Sequence, residues 1–324
     1  MKKLINHISN EISDDLKEYN TYLVESIDSK VSLINKILKY VIKTKGKQFR
    51  PILCLLASRL NGKPNDNTYL SASTVEILHV ATLLHDDVVD ESNIRRGWPT
   101  VNSIWKSKLA ILIGDYMFSR SLNNMSQLNN LEYINILADI SQRLSEGEIL
   151  QIENSLNKDM SEDIYFKMIA DKTASLISAS CKLGYITTSH DKRKNNIEKF
   201  GEYLGIAYQL KDDLFDVLGK LKDTGKPSQL DLKKNMLTLP YIHILTKVSN
   251  KDKKRIISNL KYYSKRNNLK EIENLISDLG GIKFTKQKIE EFSSRAYDEL
   301  NHFSESKYKR LLVKTIDFNI GRKF

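Results

Sequence analysis

Two copies of one short acidic pattern, DDxxD, constrain this chain more than any other feature. One copy runs from Asp86 to Asp90 and the other from Asp212 to Asp216, and each lies within an apolar stretch. Carboxylates are costly beside apolar surface unless positive charge compensates them. On a helix the first and last Asp of each copy share one face, because residues four apart are neighbours there. The pattern therefore favours a bundle in which two acidic helices face each other across a cavity.

The two clusters offer the ligands that magnesium prefers. Mg²⁺ binds hard oxygen ligands, and a site with few carboxylates completes its coordination with water and substrate phosphates. The helix stripe that ends in the first cluster contains His79, Thr82, Asp86 and Asp90. The corresponding face at the second cluster contains Gln209, Asp212, Asp213 and Asp216. Alone, the first cluster is also typical of a solvated helix end, and the second of a C-terminal helix turn packed against a loop. The two together favour a metal-dependent site for a phosphorylated substrate.

The scarcity of helix breakers predicts the fold class. Only 13 Gly and 5 Pro occur among 324 residues, which is typical of an all-α protein. We expect helices within 1–43 and at 51–60, 71–89, 107–125, 132–152, 161–183, 195–218 and 237–245, then a lysine-rich helical tail after 250 with a break at Gly280-Gly281. A polar, Arg-rich loop is expected at 91–102. Since no linker or fixed-period repeat interrupts the chain, one domain over 1–324 is predicted.

The net charge of +11 does not by itself predict a nucleic-acid partner. Lysines occur along the whole chain, which favours a compositional bias, and an anionic small substrate would also profit from a basic background. Cys54 and Cys181 lie in apolar helical contexts and are expected in the core. The N-terminal residues lack the apolar segment of a signal peptide, and no run of about 18 uncharged apolar residues occurs. A cytoplasmic protein is expected.

Cations accompany both acidic clusters. Arginine suits bidentate phosphate binding, and lysine binds phosphate as a point charge. Loop positions beside helix ends also suit a diphosphate pocket, although any single one of these charges is more often a solvated surface residue. The candidate cations, with one threonine beside them, are Lys47, Arg50, Arg95, Arg96, Lys172 with Thr173, and Lys226.

An ordered set of motifs resembles the trans-type polyprenyl diphosphate synthases. The motifs are Gly46-Lys47-x-x-Arg50-Pro51, His79, Leu84-His85-Asp86-Asp87-Val88-Val89-Asp90, Arg95-Arg96-Gly97-x-Pro99-Thr100-x-Asn102, Gly114-Asp115, Lys172-Thr173, Gln209-x-x-Asp212-Asp213 and Gly225-Lys226-Pro227. They cover about residues 40 to 240, and their order carries the resemblance. The region around the first cluster is most similar to the long-chain, octaprenyl-type bacterial members that make quinone side chains.

This resemblance implies an isoprenoid-synthase-type helical bundle around a central cavity, with three Mg²⁺ ions bridging the two motifs to an allylic diphosphate. The implied metal ligands, direct or through water, are Asp86, Asp87, Asp90, Asp212, Asp213 and Asp216, which with Lys172 form the expected catalytic set. The implied allylic diphosphate site contains Arg95, Lys172, Thr173, Gln209 and Lys226. The implied isopentenyl diphosphate site contains Lys47, Arg50, His79 and Arg96. A homodimer is implied as well. Apart from the resemblance, a peripheral membrane contact for product release is expected, and no nucleic-acid partner is expected.

The family chemistry fits these residues. The allylic C–O bond ionises, metal ions and fixed cations stabilise the departing diphosphate, and the isopentenyl double bond attacks the allylic cation. Two departures reduce the positive charge relative to many family members. Gln48 stands where the family often has Arg, and Asn235-Met236 stands where shorter-chain relatives often have Gly-Lys.

Small residues one helical turn before the first cluster predict a long product. A turn is about 5.4 Å, little more than one isoprene unit, and short-chain family members block growth there with bulky residues. Ala81 and Thr82 are small, so the chain is expected to pass them. The floor of the tunnel is then expected deeper, at Met117, Phe118 or Met125, which equally suit ordinary core packing. The alternatives are a farnesyl or geranylgeranyl synthase and a non-catalytic subunit of a heteromeric synthase, although both acidic clusters are complete.

Overall fold

Helices dominate the architecture, as predicted. The computed structural model describes residues 2–44, 46–157, 161–218, 237–266 and 268–321. The expected helical region 1–43 consists of three helices, α1 (Lys2–Glu11), α2 (Ser13–Ser26) and α3 (Ser32–Lys43). The next helix, α4 (Phe49–Ser58), has Pro51 in its first turn, where proline is tolerated because those N–H groups lack helical partners.

The helix that carries the first acidic cluster, α5 (Asp66–Val89), begins five residues before the predicted start. Its N-terminus is a capping box, in which the Asn65 side chain accepts from the backbone N–H of Thr68 and the Thr68 hydroxyl accepts from that of Asn65. Such reciprocal bonds satisfy two otherwise unpaired donors. From Ser71 to Leu78 every side chain is buried, which fixes this helix against its neighbours.

A short hairpin replaces part of the predicted loop at 91–102. Its strands β1 (Ile94–Arg95) and β2 (Trp98–Pro99) are antiparallel, with Arg95 opposite Trp98. The connecting residues Arg96 and Gly97 have φ of 54° and 80°, as a two-residue hairpin turn with positive φ at both positions requires.

The remaining helices follow the predicted order. They are α6 (Val101–Gln127), α7 (Leu131–Asn157), α8 (Glu162–Ile169), α9 (Ser175–Ile186), α10 (Lys194–Val217), α11 (Leu239–Thr246), α12 (Asn250–Lys265), α13 (Leu269–Asp278), α14 (Gly281–Leu300) and α15 (Lys307–Gly321). Lys106 has φ 71° and ψ 157°, so α6 is interrupted one residue before the predicted start at 107. A π-helical turn over Ala170–Ala174 separates α8 from α9, where a continuous helix over 161–183 was predicted.

The chain divides into two compact units. The first contains residues 1–141, 176–201 and 299–315, and the second contains 142–175, 202–298 and 316–324. That both belong to one domain stays a prediction. In the first unit α5 packs against α2, α4 and α6. Cys54 and Cys181 are both buried and unpaired in this unit, as predicted, and burial raises the pKa of both thiols.

Two apolar clusters form the core of the second unit. One joins Tyr165 and Ile169 of α8 to Leu210 and Leu214 of α10. Its position matters because the second acidic cluster lies on the same stretch of α10. The other cluster packs α11 against α12 and α13, with Ile256 and Leu260 contributed by α12. Within the described ranges, no helix combines the length and the apolar character that crossing a bilayer requires.

Candidate active site

The first acidic cluster occupies the C-terminal turn of α5. Asp86 is half-buried, Asp87 is buried and Asp90, the residue that ends the helix, is exposed. Nε of Arg95 donates to Oδ1 of Asp87 at 2.8 Å. Burial raises the pKa of Asp87 above its ordinary value, and the charge of Arg95 opposes that shift. Asp87 therefore anchors the hairpin arginine, while Asp86 and Asp90 lie nearer to solvent.

Hydrogen bonds from the residues after the cluster fix the end of α5. Nδ2 of Asn102 donates to the carbonyl oxygens of Asp87 at 3.3 Å and Ser92 at 3.1 Å. The Thr100 hydroxyl also donates to the Ser92 carbonyl, at 2.7 Å. Since Thr100 and Asn102 belong to the motif that follows the cluster, their role in this structure is to hold the loop that carries the arginines.

Arg96 lies over Gly46, which joins two motifs that are distant in sequence. A Cβ built on Gly46 would come within 2.3 Å of Nη1 of Arg96, so only glycine leaves room for the guanidinium in this position. Lys47, the next residue, is exposed. The segment before α4 and the hairpin turn therefore place Arg96 in the same region as Lys47, as the predicted isopentenyl diphosphate site requires.

Arg50 and His79, two further residues of the predicted isopentenyl diphosphate site, contact each other. Nη1 of Arg50 lies 3.0 Å from Nε2 of His79. Burial and the charges of Arg50, Arg96 and Arg95 hold the pKa of His79 well below its ordinary value. The ring is therefore neutral, with Nε2 accepting from the guanidinium. Three arginines close enough to influence one imidazole make this part of the first unit strongly electropositive, which suits a diphosphate group.

The two predicted chain-length positions lie on α5 before the cluster. Ala81 is 1% exposed and Thr82 is half-buried. The Thr82 hydroxyl donates to the carbonyl oxygen of His79 at 2.9 Å. Because this bond satisfies the hydroxyl within the helix, neither position offers a bulky group or a polar group in need of a partner.

In the second unit the π-helical turn places Lys172 and Thr173. A Cβ on Gly147 of α7 would lie 2.8 Å from the backbone nitrogen of Lys172, and one on Gly205 of α10 would lie 2.6 Å from Cα of Ala174. Two helices thus approach the turn at positions where only glycine fits. π-helical turns inside α-helices often mark functional sites, and here the turn carries two predicted substrate-binding residues.

Partners from α7 hold the Lys172 ammonium group. It forms an ion pair with Glu148 and donates to Oε1 of Gln151 at 3.1 Å. The preceding residue, Asp171, is buried and accepts from Nε of Arg143 at 2.8 Å and from Nζ of Lys167 at 2.9 Å. Ion pairs therefore hold the turn at Asp171 and at Lys172.

A continuous chain of hydrogen bonds joins Thr173 to the second acidic cluster. The Thr173 hydroxyl donates to Oε1 of Gln209 at 2.9 Å, and Nε2 of Gln209 donates to Oδ1 of Asp213 at 2.7 Å. The other oxygen of Asp213 accepts from the hydroxyl of Tyr165 at 2.5 Å. Both carboxylate oxygens of Asp213 are therefore held by hydrogen bonds from neighbouring side chains. Asp212 is half-buried, and Asp216 is 9% exposed.

The donor set fits magnesium. Asp86 and Asp90 place carboxylates one helical turn apart in the first unit, and Asp212 and Asp216 do so in the second. Among the described residues, no three His, Cys, Asp or Glu side chains are grouped so that they hold a metal ion by themselves. Small numbers of carboxylates suit Mg²⁺, which completes its coordination with water and substrate phosphates. Lys226 and the Asn235-Met236 departure lie outside the described residues.

Sequence reasoning missed several residues that support the site. Glu148 and Gln151 hold Lys172, Tyr165 holds Asp213, and Arg143 holds the residue before Lys172. Their signal in the sequence is weak, because polar residues on α7 at three- and four-residue spacing are typical of any exposed helix face. Their role is identified only by the hydrogen bonds and ion pairs that they form in the folded structure.

Comparison with known proteins connects this geometry to a family. The polyprenyl synthetase family model matches residues 31–279. The chain is 30% identical over 306 residues to the octaprenyl diphosphate synthase of Escherichia coli (strain K12), an alignment that covers 94% of this chain and 95% of that protein.

Two solved structures are similar to this one over nearly the whole chain. The decaprenyl diphosphate synthase from Rhodobacter capsulatus has a TM-score of 0.91 and 32% identity, covering 98% of this chain and 99% of that one. A polyprenyl synthase from Caulobacter crescentus CB15, complexed with calcium and isoprenyl diphosphate, has a TM-score of 0.88 and 29% identity, with 98% of both chains covered. The expectation of an isoprenoid-synthase-type helical fold is confirmed. The chain belongs to the polyprenyl synthetase family and is a polyprenyl diphosphate synthase, a prenyltransferase.

Proposed function

We propose that the enzyme makes an all-trans long-chain polyprenyl diphosphate of octaprenyl length for quinone side chains. It condenses isopentenyl diphosphate onto an allylic diphosphate, with farnesyl diphosphate as the primer, and depends on Mg²⁺. The similarity to an octaprenyl diphosphate synthase over nearly the whole chain supports the product class.

The observation that carries the proposed chain length is the pair of small residues before the first cluster. Ala81 is buried without bulk, and Thr82 has its hydroxyl bonded within the helix, so its methyl group is the part left for contact with an isoprenoid. A growing chain that starts at Asp86 meets these positions after about 5 Å, one helical turn. Nothing there requires the chain to stop at farnesyl length.

The described side chains divide the chemistry between them. The proposed Mg²⁺ ligands, direct or through water, are Asp86, Asp87, Asp90, Asp212, Asp213 and Asp216, and the family resemblance predicts three ions. When bound, the metal ions stabilise the negative charge that develops on the departing diphosphate. Arg95, fixed by Asp87, and Lys172, fixed by Glu148 and Gln151, are the proposed contacts of the allylic diphosphate. Arg50 and Arg96 are the proposed contacts of isopentenyl diphosphate.

A homodimer is part of the proposal. Apolar side chains on α6 are more than 40% exposed at Ile104, Ile111 and Leu122. Ile111 and Leu122 both follow the interruption at Lys106. Their spacing of eleven residues places them on one helix face, as expected of a surface that packs against a second copy. Light scattering of the purified protein measures the oligomeric state directly, and a monomer at micromolar concentration contradicts the homodimer.

We also propose that the enzyme works in the cytoplasm and contacts a membrane when it releases its product.

Product analysis tests the proposed reaction. The purified protein is incubated with farnesyl diphosphate, labelled isopentenyl diphosphate and Mg²⁺, and the dephosphorylated products are sized by chromatography. We expect a dominant product of octaprenyl length and no product when a chelator removes the metal. A product that stops at farnesyl or geranylgeranyl length contradicts the chain-length proposal, and no product with Mg²⁺ present favours a non-catalytic subunit.

A further inference from the structure

The positive charge of this chain is not evenly spread, contrary to the expectation from its overall composition. Residues 247–270 contain nine Lys or Arg and one Asp, a net charge of +8 within a chain total of +11. The other 300 residues contain 42 Lys or Arg and 39 Asp or Glu and are therefore nearly neutral. One short segment thus determines the basic character of the whole protein.

The helix in this segment, α12, buries its apolar face in the core of the second unit. Ile256 and Leu260 are 6% and 1% exposed, and Ile257 and Tyr263 pack against the same cluster. Ser249 secures the start of the helix, because its hydroxyl accepts from the backbone N–H of Asp252 at 3.2 Å. The helix is therefore anchored in the second unit, and only its charged side is offered to solvent.

The exposed side of α12, here called the basic face, consists of Lys251, Lys254, Arg255, Tyr262 and the adjoining Arg266, all of them exposed. Arg255 pairs with the one acidic residue of the segment, Asp252, at 3.1 Å, an exposed contact of the kind that contributes little. The guanidinium of Arg266 lies 4.4 Å from the centre of the Tyr262 ring. The basic face therefore combines dense positive charge with an aromatic ring that suits a bilayer interface.

We propose that the basic face docks the enzyme on an anionic bilayer surface. Clusters of four to eight basic residues on one helix are typical of binding sites for anionic lipid. Since the apolar side of α12 is buried, the contact is electrostatic and reversible, without insertion of the helix. This inference rests on the proposed function in one respect: a product with a long hydrocarbon tail has to leave for a membrane.

A membrane explains the basic face better than a nucleic acid does. Aromatic residues that bind single-stranded nucleic acid present a ring to stack on bases, whereas the Tyr262 ring is already covered by Arg266. The charge also lies on one rigid helix, which can approach a flat surface along its length.

Vesicle sedimentation tests the proposal without using enzyme activity. The full-length protein is mixed with vesicles of phosphatidylcholine alone, or with about a third of it replaced by phosphatidylserine, at low and high salt. The test variant carries Lys251→Gln, Lys254→Gln and Arg255→Gln. The control variant carries Lys17→Gln, Lys36→Gln and Lys199→Gln, which change the net charge equally at exposed positions outside the segment.

We expect binding to the anionic vesicles only, lost at high salt. Each basic residue near an anionic surface changes the binding constant about fivefold, so the test variant is expected to bind roughly a hundredfold more weakly. The control variant is expected to bind nearly as the parent does. A gel shift with single-stranded DNA and RNA is run in parallel.

Failure to bind anionic vesicles, equal binding to neutral vesicles, or equal loss in both variants overturns the proposal. Binding to nucleic acid in place of vesicles overturns it as well. Because no substrate is present, the outcome is independent of product analysis. An active enzyme that does not bind vesicles contradicts the membrane contact but not the proposed reaction, while an inactive protein that binds them contradicts only the proposed reaction.

Discussion

Nη1 of Arg50 lies 3.0 Å from Nε2 of His79, and the charges of Arg50, Arg96 and Arg95 add to burial in keeping that imidazole neutral. In the folded protein the pKa of His79 is therefore below its value in the unfolded chain, about 6.5. Between these two values the unfolded chain binds the additional proton. Stability is then fully present above about pH 6.5 and decreases as the pH falls below it.

Replacing His79 with Gln tests this dependence. Gln retains an acceptor for Arg50 but does not titrate, so the free energy of unfolding of His79→Gln is expected to vary less between about pH 7 and pH 5 than that of the parent. Chemical denaturation at several pH values measures the difference. His302→Gln is the control, since His302 is exposed. Parallel pH profiles for the parent and His79→Gln contradict the assignment.

Asp86 carries the second prediction. As a half-buried carboxylate at the end of α5 and a proposed metal ligand, it is expected to matter for turnover and little for folding. Asp86→Ala is expected to lower kcat by a factor of about 100 or more, the scale seen when one charge-stabilising group is removed. Asp139→Ala, at an exposed position on α7, is the matched control. Near-normal turnover of a folded Asp86→Ala protein removes Asp86 from the metal site.

Most of the fold and part of the site were predictable from the sequence. Particular residues explain why the rest was not. The helix carrying the first cluster was predicted because its apolar pattern is long, but its start at Asp66 depends on the capping box of Asn65 and Thr68. The hairpin turn at Arg96 and Gly97 was predicted only as part of a loop. In the sequence, Gly97 indicates positive φ, but Arg96, which also has positive φ, does not.

The second unit contains a feature that sequence patterns do not predict, the π-helical turn at Lys172. A continuous helix over 161–183 was the natural prediction, since no residue there breaks a helix. The π-helical turn at Lys172 instead depends on contacts with Gly147 and Gly205, which lie on other helices. Residues that act through such tertiary contacts leave no periodic signal of their own, and Glu148 is the clearest case because it looks like an ordinary surface residue in the sequence.

Gly46 carries the third prediction. An added methyl group would meet the guanidinium of Arg96, the far end of a flexible side chain that can move away at little cost. Gly46→Ala is therefore expected to leave the free energy of unfolding nearly unchanged. Displacing Arg96 removes a charge-assisted contact worth about 1.5–3 kcal/mol, so KM for isopentenyl diphosphate is expected to rise tenfold or more. Gly321→Ala, where an added Cβ meets no heavy atom within 4 Å, is the control. An unchanged KM for isopentenyl diphosphate contradicts the proposed contact between Arg96 and that substrate.

Gly147 carries the fourth prediction and contrasts with Gly46. Here an added methyl group would meet the backbone nitrogen of Lys172 at 2.8 Å, and backbone within a packed turn cannot move away. Gly147→Ala is expected to lower the free energy of unfolding by about 1–3 kcal/mol and to reduce kcat, because Lys172 shifts with the turn. Denaturant unfolding and steady-state kinetics measure the two effects. A protein as stable and active as the parent shows that the turn tolerates displacement and that its geometry is not needed for catalysis.

Ala81 carries the last prediction, which concerns product length. The side chain is 1% exposed and lies about one helical turn before Asp86, so a tyrosine there projects into the proposed path of the growing chain. Ala81→Tyr is expected to shift the main product to farnesyl or geranylgeranyl length, measured by chromatography of the dephosphorylated products.

Overpacking at Ala81 lowers the free energy of unfolding by about 1–3 kcal/mol, so thermal unfolding and the rate of the first condensation show whether the variant is folded and active. Thr82→Phe, at a half-buried position with more room, is a second variant, and Ala81→Ser is the control that should retain the parent product. Unchanged product length in both bulky variants, when they are folded and active, places the path of the chain elsewhere.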